Sequence, residues 1–125
     1  MKTITNGVAL DSFVLAYVEC ALWSSTGDNG EPLDADYSID DIASEGLASM
    51  VKDCDSFREL AAESLADANQ TDEQNGHDFW LTRNGHGAGF WDRGLGDVGQ
   101  KLTDDAHSFG SSDLYVGDDG KIYTT

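Results

Sequence analysis

The chain has 125 residues, which suits one domain, and its hydrophobic fraction of 39% is too high for a disordered protein. Seven basic residues stand against 24 acidic ones, and the net charge of −17 opposes direct binding to nucleic acid or to an anionic membrane. No apolar run approaches the roughly 20 residues of a transmembrane helix, and the N-terminus lacks the apolar region of a secretory signal. We therefore expect a single domain over residues 1–125, located in the cytoplasm.

The first predicted helix begins at Asp11 or Ser12, either of which can cap it, and runs to about Ser24. Its residues are apolar on nearly every side, which predicts a central and mostly buried helix. The polar, glycine-containing stretch of residues 24–37 that follows is typical of a loop.

Two further helices are predicted before residue 70. Ser38 can cap the second one, whose apolar residues through Cys54 recur at spacings of three and four. Ser56 and Glu59 match a capping box, which predicts that a third helix starts there and continues to about residue 68.

The C-terminal part of the chain predicts a loop, two hairpins and a fourth helix. Residues 69–78 are polar, and the pattern then becomes alternating. Residues 79–83 and 89–92 predict two strands around an Asn-Gly turn, because both turn residues tolerate positive φ. A helix is predicted over residues 95–109, followed by a hairpin that pairs Leu114, Tyr115 and Val116 with Lys121, Ile122 and Tyr123.

The predicted fold class is therefore α+β. Three N-terminal helices precede a β-hairpin, a fourth helix and a C-terminal β-hairpin. Because a lone hairpin is marginally stable, we expect the two hairpins to form one small antiparallel sheet packed on helices.

Residues 78–93 hold two of the three tryptophans and a histidine among glycines. Glycines on a tight turn would let a ligand or partner approach an exposed imidazole, and aromatic side chains would supply contact area. The candidate binding residues of this segment are Trp80, Arg83, Asn84, His86 and Trp91. His86 could also form an acid–base pair with Asp78 or Asp92. The structural alternative is that the glycines only shape the turn, the rings fill the core and the arginines pair with aspartates.

The acidic residues are concentrated in the first 75 positions, which hold 16 acidic and three basic residues. On the predicted helices they fall mainly opposite the apolar stripes, about one turn or roughly 5–6 Å apart, a spacing that resembles that of DNA phosphates. The candidate acidic contacts are Asp34, Asp36, Asp40, Asp41, Glu45, Glu59 and Glu63. They would bind a basic protein in place of DNA. The alternative is a solvated face that only keeps the protein soluble.

The sequence predicts no catalytic residue, no metal and no cofactor. A Gly-x-Ser-x-Gly motif is missing, and the three histidines lack zinc-type spacing. Residues 34–45 place oxygen ligands as an EF-hand loop does, but Ile39 stands where that loop needs glycine. Cys20 and Cys54 lie at apolar helix positions, which favours two buried thiols over a disulfide.

Residues 78–93 have the sequence DFWLTRNGHGAGFWDR, and KLT follows at 101–103 and DLYVGDDG at 113–120. With these segments, the part from residue 78 to residue 123 resembles a family of short, largely uncharacterised proteins encoded by bacteriophages and plasmids. The resemblance implies an origin in a mobile element. It implies no activity and transfers no catalytic role.

These observations predict a small acidic phage or mobile-element protein that binds a host protein in the host cytoplasm and inhibits or modulates it, as an anti-defence DNA mimic for example. The partner would be a basic or nucleic-acid-binding protein, and the chain would be a monomer or a small homo-oligomer. Two alternatives stay open. One is a small-ligand-binding protein or enzyme centred on His86, and the other is an accessory phage protein that self-associates through Trp80 and Trp91.

Overall fold

A computed structural model describes residues 3–27, 30–85 and 89–124 of the chain. Its helices and strands, in chain order, are β1 (Thr3–Thr5), β2 (Val8–Leu10), α1 (Ser12–Ser24), α2 (Ser44–Leu60), α3 (Ala62–Ala68), α4 (Asp72–Arg83), α5 (Asp97–His107), β3 (Leu114–Val116) and β4 (Ile122–Thr124). Short 3-10 turns lie at Leu33–Ala35, Ile39–Asp41 and Phe90–Asp92. The α+β class is confirmed, but the predicted order of elements is wrong.

The chain begins with a hairpin that the sequence analysis missed. Strands β1 and β2 pair antiparallel around Asn6 and Gly7, both of which have positive φ, at 50° and 79°. Asn6-Gly7 carries the same Asn-Gly turn signal as residues 84–85, where the sequence predicts a hairpin. The Asn6 side chain donates to the Ile42 carbonyl oxygen at 2.8 Å, which ties the hairpin to the segment before α2.

Helix α1 has the bounds that the sequence predicts. The Asp11 side chain accepts a hydrogen bond from the Val14 backbone N–H at 3.0 Å, so it acts as the N-cap. The helix is buried on most sides, which confirms its central position.

The second and third helices differ from their predicted bounds. Ser38 caps only a 3-10 turn, and α2 begins six residues later at Ser44. The predicted restart at Ser56 is wrong, because α2 continues through it and carries one buried stripe that includes Cys54 and Phe57. The helix ends at Leu60, and Ala61 is both its C-cap and the N-cap of α3.

The residues that the structure describes on either side of 86–88 do not form the first predicted hairpin. Residues 72–83, expected to be loop and then strand, form the single helix α4, whose N-cap Thr71 accepts from the Gln74 N–H at 3.1 Å. Phe90–Asp92 is a 3-10 turn, and the Phe90 N–H donates to the Thr82 hydroxyl at 3.0 Å. Residues 79–83 are buried throughout, and a short apolar run of this kind does not distinguish a strand from a buried helix.

The C-terminal hairpin is confirmed, with Tyr115 opposite Tyr123 in the register of β3 and β4. Helix α5 is shorter than predicted and lies inside the expected range. The expected single sheet is wrong, because within the described ranges β1–β2 and β3–β4 form separate two-stranded sheets. An isolated bridge between Ile42 and Ile122 joins the second hairpin to the chain before α2.

The core lies where α1, α2 and α4 meet. The rings of Phe57 and Phe79 stack with centroids 4.1 Å apart and planes at 7°, and Phe13, Phe90 and Phe109 pack around them. Gly76 lets α4 approach α1 so closely that a Cβ atom there would overlap the Phe13 carbonyl oxygen. None of the helices in the described ranges is long and apolar enough to cross a membrane.

Candidate functional site

The residues predicted to form an aromatic binding hairpin do not share one surface. Trp80 is 2% exposed, and its indole N–H donates to the Ser24 hydroxyl at 2.7 Å, so its ring belongs to the core. Asn84 is a structural link, since its side chain donates to the Trp80 carbonyl oxygen at 3.0 Å and accepts from the Ser112 N–H at 2.8 Å. Trp91 is 54% exposed, and His86 lies outside the described residues.

Arg83 is buried in a network that joins α4 to α1, to α2 and to the segment that follows α5. Its Nη1 donates to the Tyr17 hydroxyl at 2.9 Å and to Asp53 Oδ2 at 2.8 Å. Its Nε and Nη2 donate to the carbonyl oxygens of Gly110 at 2.9 Å and Phe109 at 3.1 Å. Burial raises the pKa of Tyr17 well above its usual value, so the hydroxyl is neutral here. The structural alternative for this arginine, pairing with an aspartate, is the arrangement observed.

Asp78 is a fully buried carboxylate at the base of a second network. Its Oδ1 accepts from Arg93 Nη2 at 2.7 Å and from Gln74 Nε2 at 2.9 Å, and its Oδ2 accepts from Arg93 Nε at 3.1 Å. These hydrogen bonds raise the pKa of Arg93 above its usual value. Asp78 therefore neutralises Arg93, and it is not an acid–base partner facing solvent.

Arg58, the remaining arginine of the chain, is also paired with carboxylates. Arg58 Nη1 lies 2.8 Å from Asp11 Oδ2, and Nη2 lies 2.7 Å from Asp55 Oδ1. The guanidinium also lies 4.7 Å from the centre of the Phe13 ring. Every arginine of the chain is thus bound to a carboxylate of the same chain, which leaves exposed lysines as the cations of the described surface.

Most of the predicted acidic contacts are exposed, but they do not form an evenly spaced row. The exposed residues are Asp34, Asp36, Asp40, Glu45, Glu59 and Glu63. Asp41 is half-buried and accepts from the Ser38 N–H at 2.8 Å. Glu45 and Glu59 lie near opposite ends of α2, about 21 Å apart along the axis, and the acids between them are Asp53 and Asp55, which pair with arginines. Helix α2 therefore carries no ladder of exposed carboxylates with phosphate-like spacing.

A cleft of about 550 Å³ opens between α1 and α4. Its lining includes Glu19, Cys20 and Trp23 of α1 and Glu73 and His77 of α4. Asp34 from the first 3-10 turn and Arg93 also line it. The sequence analysis missed this cleft, although each helix carries a carboxylate four residues before an aromatic ring, a spacing that places both on one helix face.

The thiols do not supply a nucleophile. Both cysteines are free and buried, as expected. Burial, with a smaller contribution from the nearby Asp78 charge, raises the pKa of Cys20 to about 12. Burial likewise raises the pKa of Cys54 well above its usual value. Neither side chain is therefore a thiolate at neutral pH.

We expect native Cys20 and Cys54 to react with iodoacetamide at pH 8 at least about a hundredfold more slowly than free cysteine, because the thiolate fraction is so small. Mass spectrometry of the intact protein over time measures this rate. In denaturant both thiols should react at the ordinary rate. Rapid modification of the native protein at Cys20 would contradict the pKa and burial described here.

The residues described in the structure contain no group of three or more His, Cys, Asp or Glu side chains that could hold a metal ion. The segment with EF-hand-like spacing is divided between the 3-10 turns Leu33–Ala35 and Ile39–Asp41 and the start of α2. Its oxygens are therefore distributed over two 3-10 turns and the start of a helix instead of one ligand loop.

Comparison with known proteins assigns no family to this chain. No protein-family model matches the sequence, and neither a curated protein nor a solved structure matches it.

Proposed function

We propose that this is a small acidic protein of phage or mobile-element origin that binds a basic, nucleic-acid-binding host protein and inhibits or modulates it. The observation that carries this proposal is the separation of charge in the fold. The three arginines form ion pairs with carboxylates of the same chain, whereas most of the acidic side chains in the described ranges are exposed.

This separation affects binding because exposed carboxylates act over a distance. At physiological salt their field extends about 8 Å into solvent, and a surface of one sign speeds the encounter with a partner of the opposite sign. Groove-lining lysines and arginines of a nucleic-acid-binding protein have the complementary charge. A protein that covers them prevents the nucleic acid from binding.

The geometry favours competition through a broad acidic surface over imitation of the DNA backbone. The Asp53–Arg83 and Asp55–Arg58 pairs interrupt the carboxylates of α2, so this helix presents no regular row of phosphate-like positions. Competition through exposed carboxylates does not need such a row. The origin in a mobile element is supported by the resemblance of residues 78–123. The partner is then a host protein, and the place of action is the host cytoplasm.

Neutralising four acids of the N-terminal half should weaken binding much more than neutralising four elsewhere. The first variant combines Asp40→Asn, Glu45→Gln, Glu59→Gln and Glu63→Gln, all at exposed positions. The matched control combines Asp92→Asn, Asp97→Asn, Asp104→Asn and Asp118→Asn, which are also exposed and change the net charge equally. We expect the first variant to lose about tenfold or more in affinity, because each exposed ion pair contributes up to about 1 kcal/mol.

The partner is first captured on the tagged wild-type protein from host lysate at low salt and identified by mass spectrometry. Affinities of both variants for the purified partner are then measured at two salt concentrations, with and without DNA as competitor. Equal losses in the two variants would show that net charge alone acts. An affinity that changes neither with salt concentration nor with added DNA would contradict the proposal.

A further inference from the structure

The cleft between α1 and α4 repeats one arrangement on both of its walls. On α1, Glu19 lies four residues before Trp23, and on α4, Glu73 lies four residues before His77. The two rings lie near each other, with centroids 6.3 Å apart and planes inclined by 31°. Trp23 is 58% exposed, so its indole remains available at the mouth of the cleft.

The charges of the cleft select a cation. Glu19, Asp34 and Glu73 line it with three exposed carboxylates. Among the described residues of the lining, Arg93 carries the only guanidinium, and its charge is compensated by the bidentate contact with buried Asp78. An anionic ligand would meet these carboxylates, whereas a cation would be attracted by them.

We propose that the α1–α4 cleft binds an arginine side chain presented by the basic partner. The indole of Trp23 supplies a flat face on which a guanidinium stacks, and Glu19 and Glu73 supply carboxylates that accept its N–H groups in pairs. This inference rests on the proposed function, since it names the chemical group by which the basic partner is held.

The chemistry of the lining favours a guanidinium over the ammonium group of lysine. A guanidinium is planar, so it can stack on the indole and donate to a carboxylate at its edge at the same time. An ammonium group is compact and strongly hydrated, and it makes only a point contact with a ring. The cleft volume of about 550 Å³ also admits the backbone that flanks an inserted side chain.

The test is a titration of the ¹⁵N-labelled protein with N-acetyl-arginine amide at near-physiological salt, followed by nuclear magnetic resonance. The Trp23 indole N–H is assigned by its disappearance in Trp23→Ala. We expect a saturable shift of this signal and of backbone amides on both walls. N-acetyl-lysine amide should shift these signals more weakly. The neutral isostere N-acetyl-citrulline amide should leave the chemical shifts unchanged.

Two variants and one matched control test whether arginine amide binds at this cleft. Trp23→Ala and Glu19→Gln should each raise the dissociation constant about fivefold or more, since each removes one of the contacts. Trp91→Ala removes a tryptophan that is 54% exposed outside the cleft lining, and it should leave the constant unchanged. A non-saturating shift, equal binding of citrulline amide, or equal losses in Trp23→Ala and Trp91→Ala would each overturn the inference.

The same measurements separate this inference from the proposed function. If the wild-type protein binds its basic partner in a salt-sensitive way but arginine amide gives no saturable shift, the cleft inference fails and the function stands. A different result would sink the proposed function alone. If arginine amide binds in the cleft but the protein binds no basic partner in competition with DNA, the cleft is an arginine-binding site and the proposed function fails.

Discussion

Gly76→Ala should destabilise the protein by about 3 kcal/mol or more, although alanine normally favours a helix by about 1 kcal/mol over glycine. A Cβ atom at this position would overlap the Phe13 carbonyl oxygen and lie 3.2 Å from the Tyr17 nitrogen. Both atoms belong to the backbone of α1, so neither can turn away as a flexible side chain would. The two helices would have to separate and expose part of the ring stack that they enclose.

The matched control is Gly46→Ala, at another buried helical glycine. A Cβ atom there would lie 3.4 Å from Ile42 Cγ2, which is ordinary van der Waals contact, so the change should stay within about 1 kcal/mol of wild type. Urea unfolding followed by tryptophan fluorescence measures both variants. Equal stability of the two alanine variants would contradict the close approach of α1 and α4.

The elements that the sequence predicted well are those with local signals. Helix α1 has a capping aspartate and a long apolar run, and the C-terminal hairpin has alternating residues around a glycine-containing turn. Helix α4 was missed because its first half is polar and its second half is buried on every side, so neither half shows the 3.6-residue period. Its N-cap Thr71 is a local signal, but the packing of the apolar half against α1, made possible by Gly76, explains why residues 79–83 are helix and not strand.

The functional residues divide in the same way. The excess of exposed carboxylates could be predicted from composition, and the pairing of arginines with aspartates is the structural alternative that residues 78–93 also suggest. The cleft could not be found without the fold, since Trp23 and His77 are 54 positions apart and meet only because α1 packs on α4. The burial of Trp80 depends on the same contact.

Asp78→Asn should cost about 3 kcal/mol of unfolding free energy, because it leaves a buried ion pair with one charge. The amide nitrogen that replaces one carboxylate oxygen cannot accept a hydrogen bond, so at least one N–H of Arg93 or Gln74 loses its acceptor. The Arg93 side chain is 27% exposed and can turn toward water, which keeps the loss at the lower end of the range for buried pairs. Asp92→Asn, at the exposed neighbouring aspartate, should change the stability by less than about 0.5 kcal/mol.

A double-mutant cycle with Arg93→Met separates the ion pair from the general cost of altering a buried site. If Asp78 and Arg93 stabilise the fold through each other, the double variant should lose less stability than the two single variants together, by about 1 kcal/mol or more. The Arg93→Met variant also tests ligand binding in the cleft, since it removes the guanidinium from the lining and leaves Glu19 and Glu73 in place. Binding of arginine amide should then persist or strengthen in a folded Arg93→Met variant. Additive losses in stability would show that Asp78 is held by Gln74 and the surrounding fold, and that its contact with Arg93 contributes little.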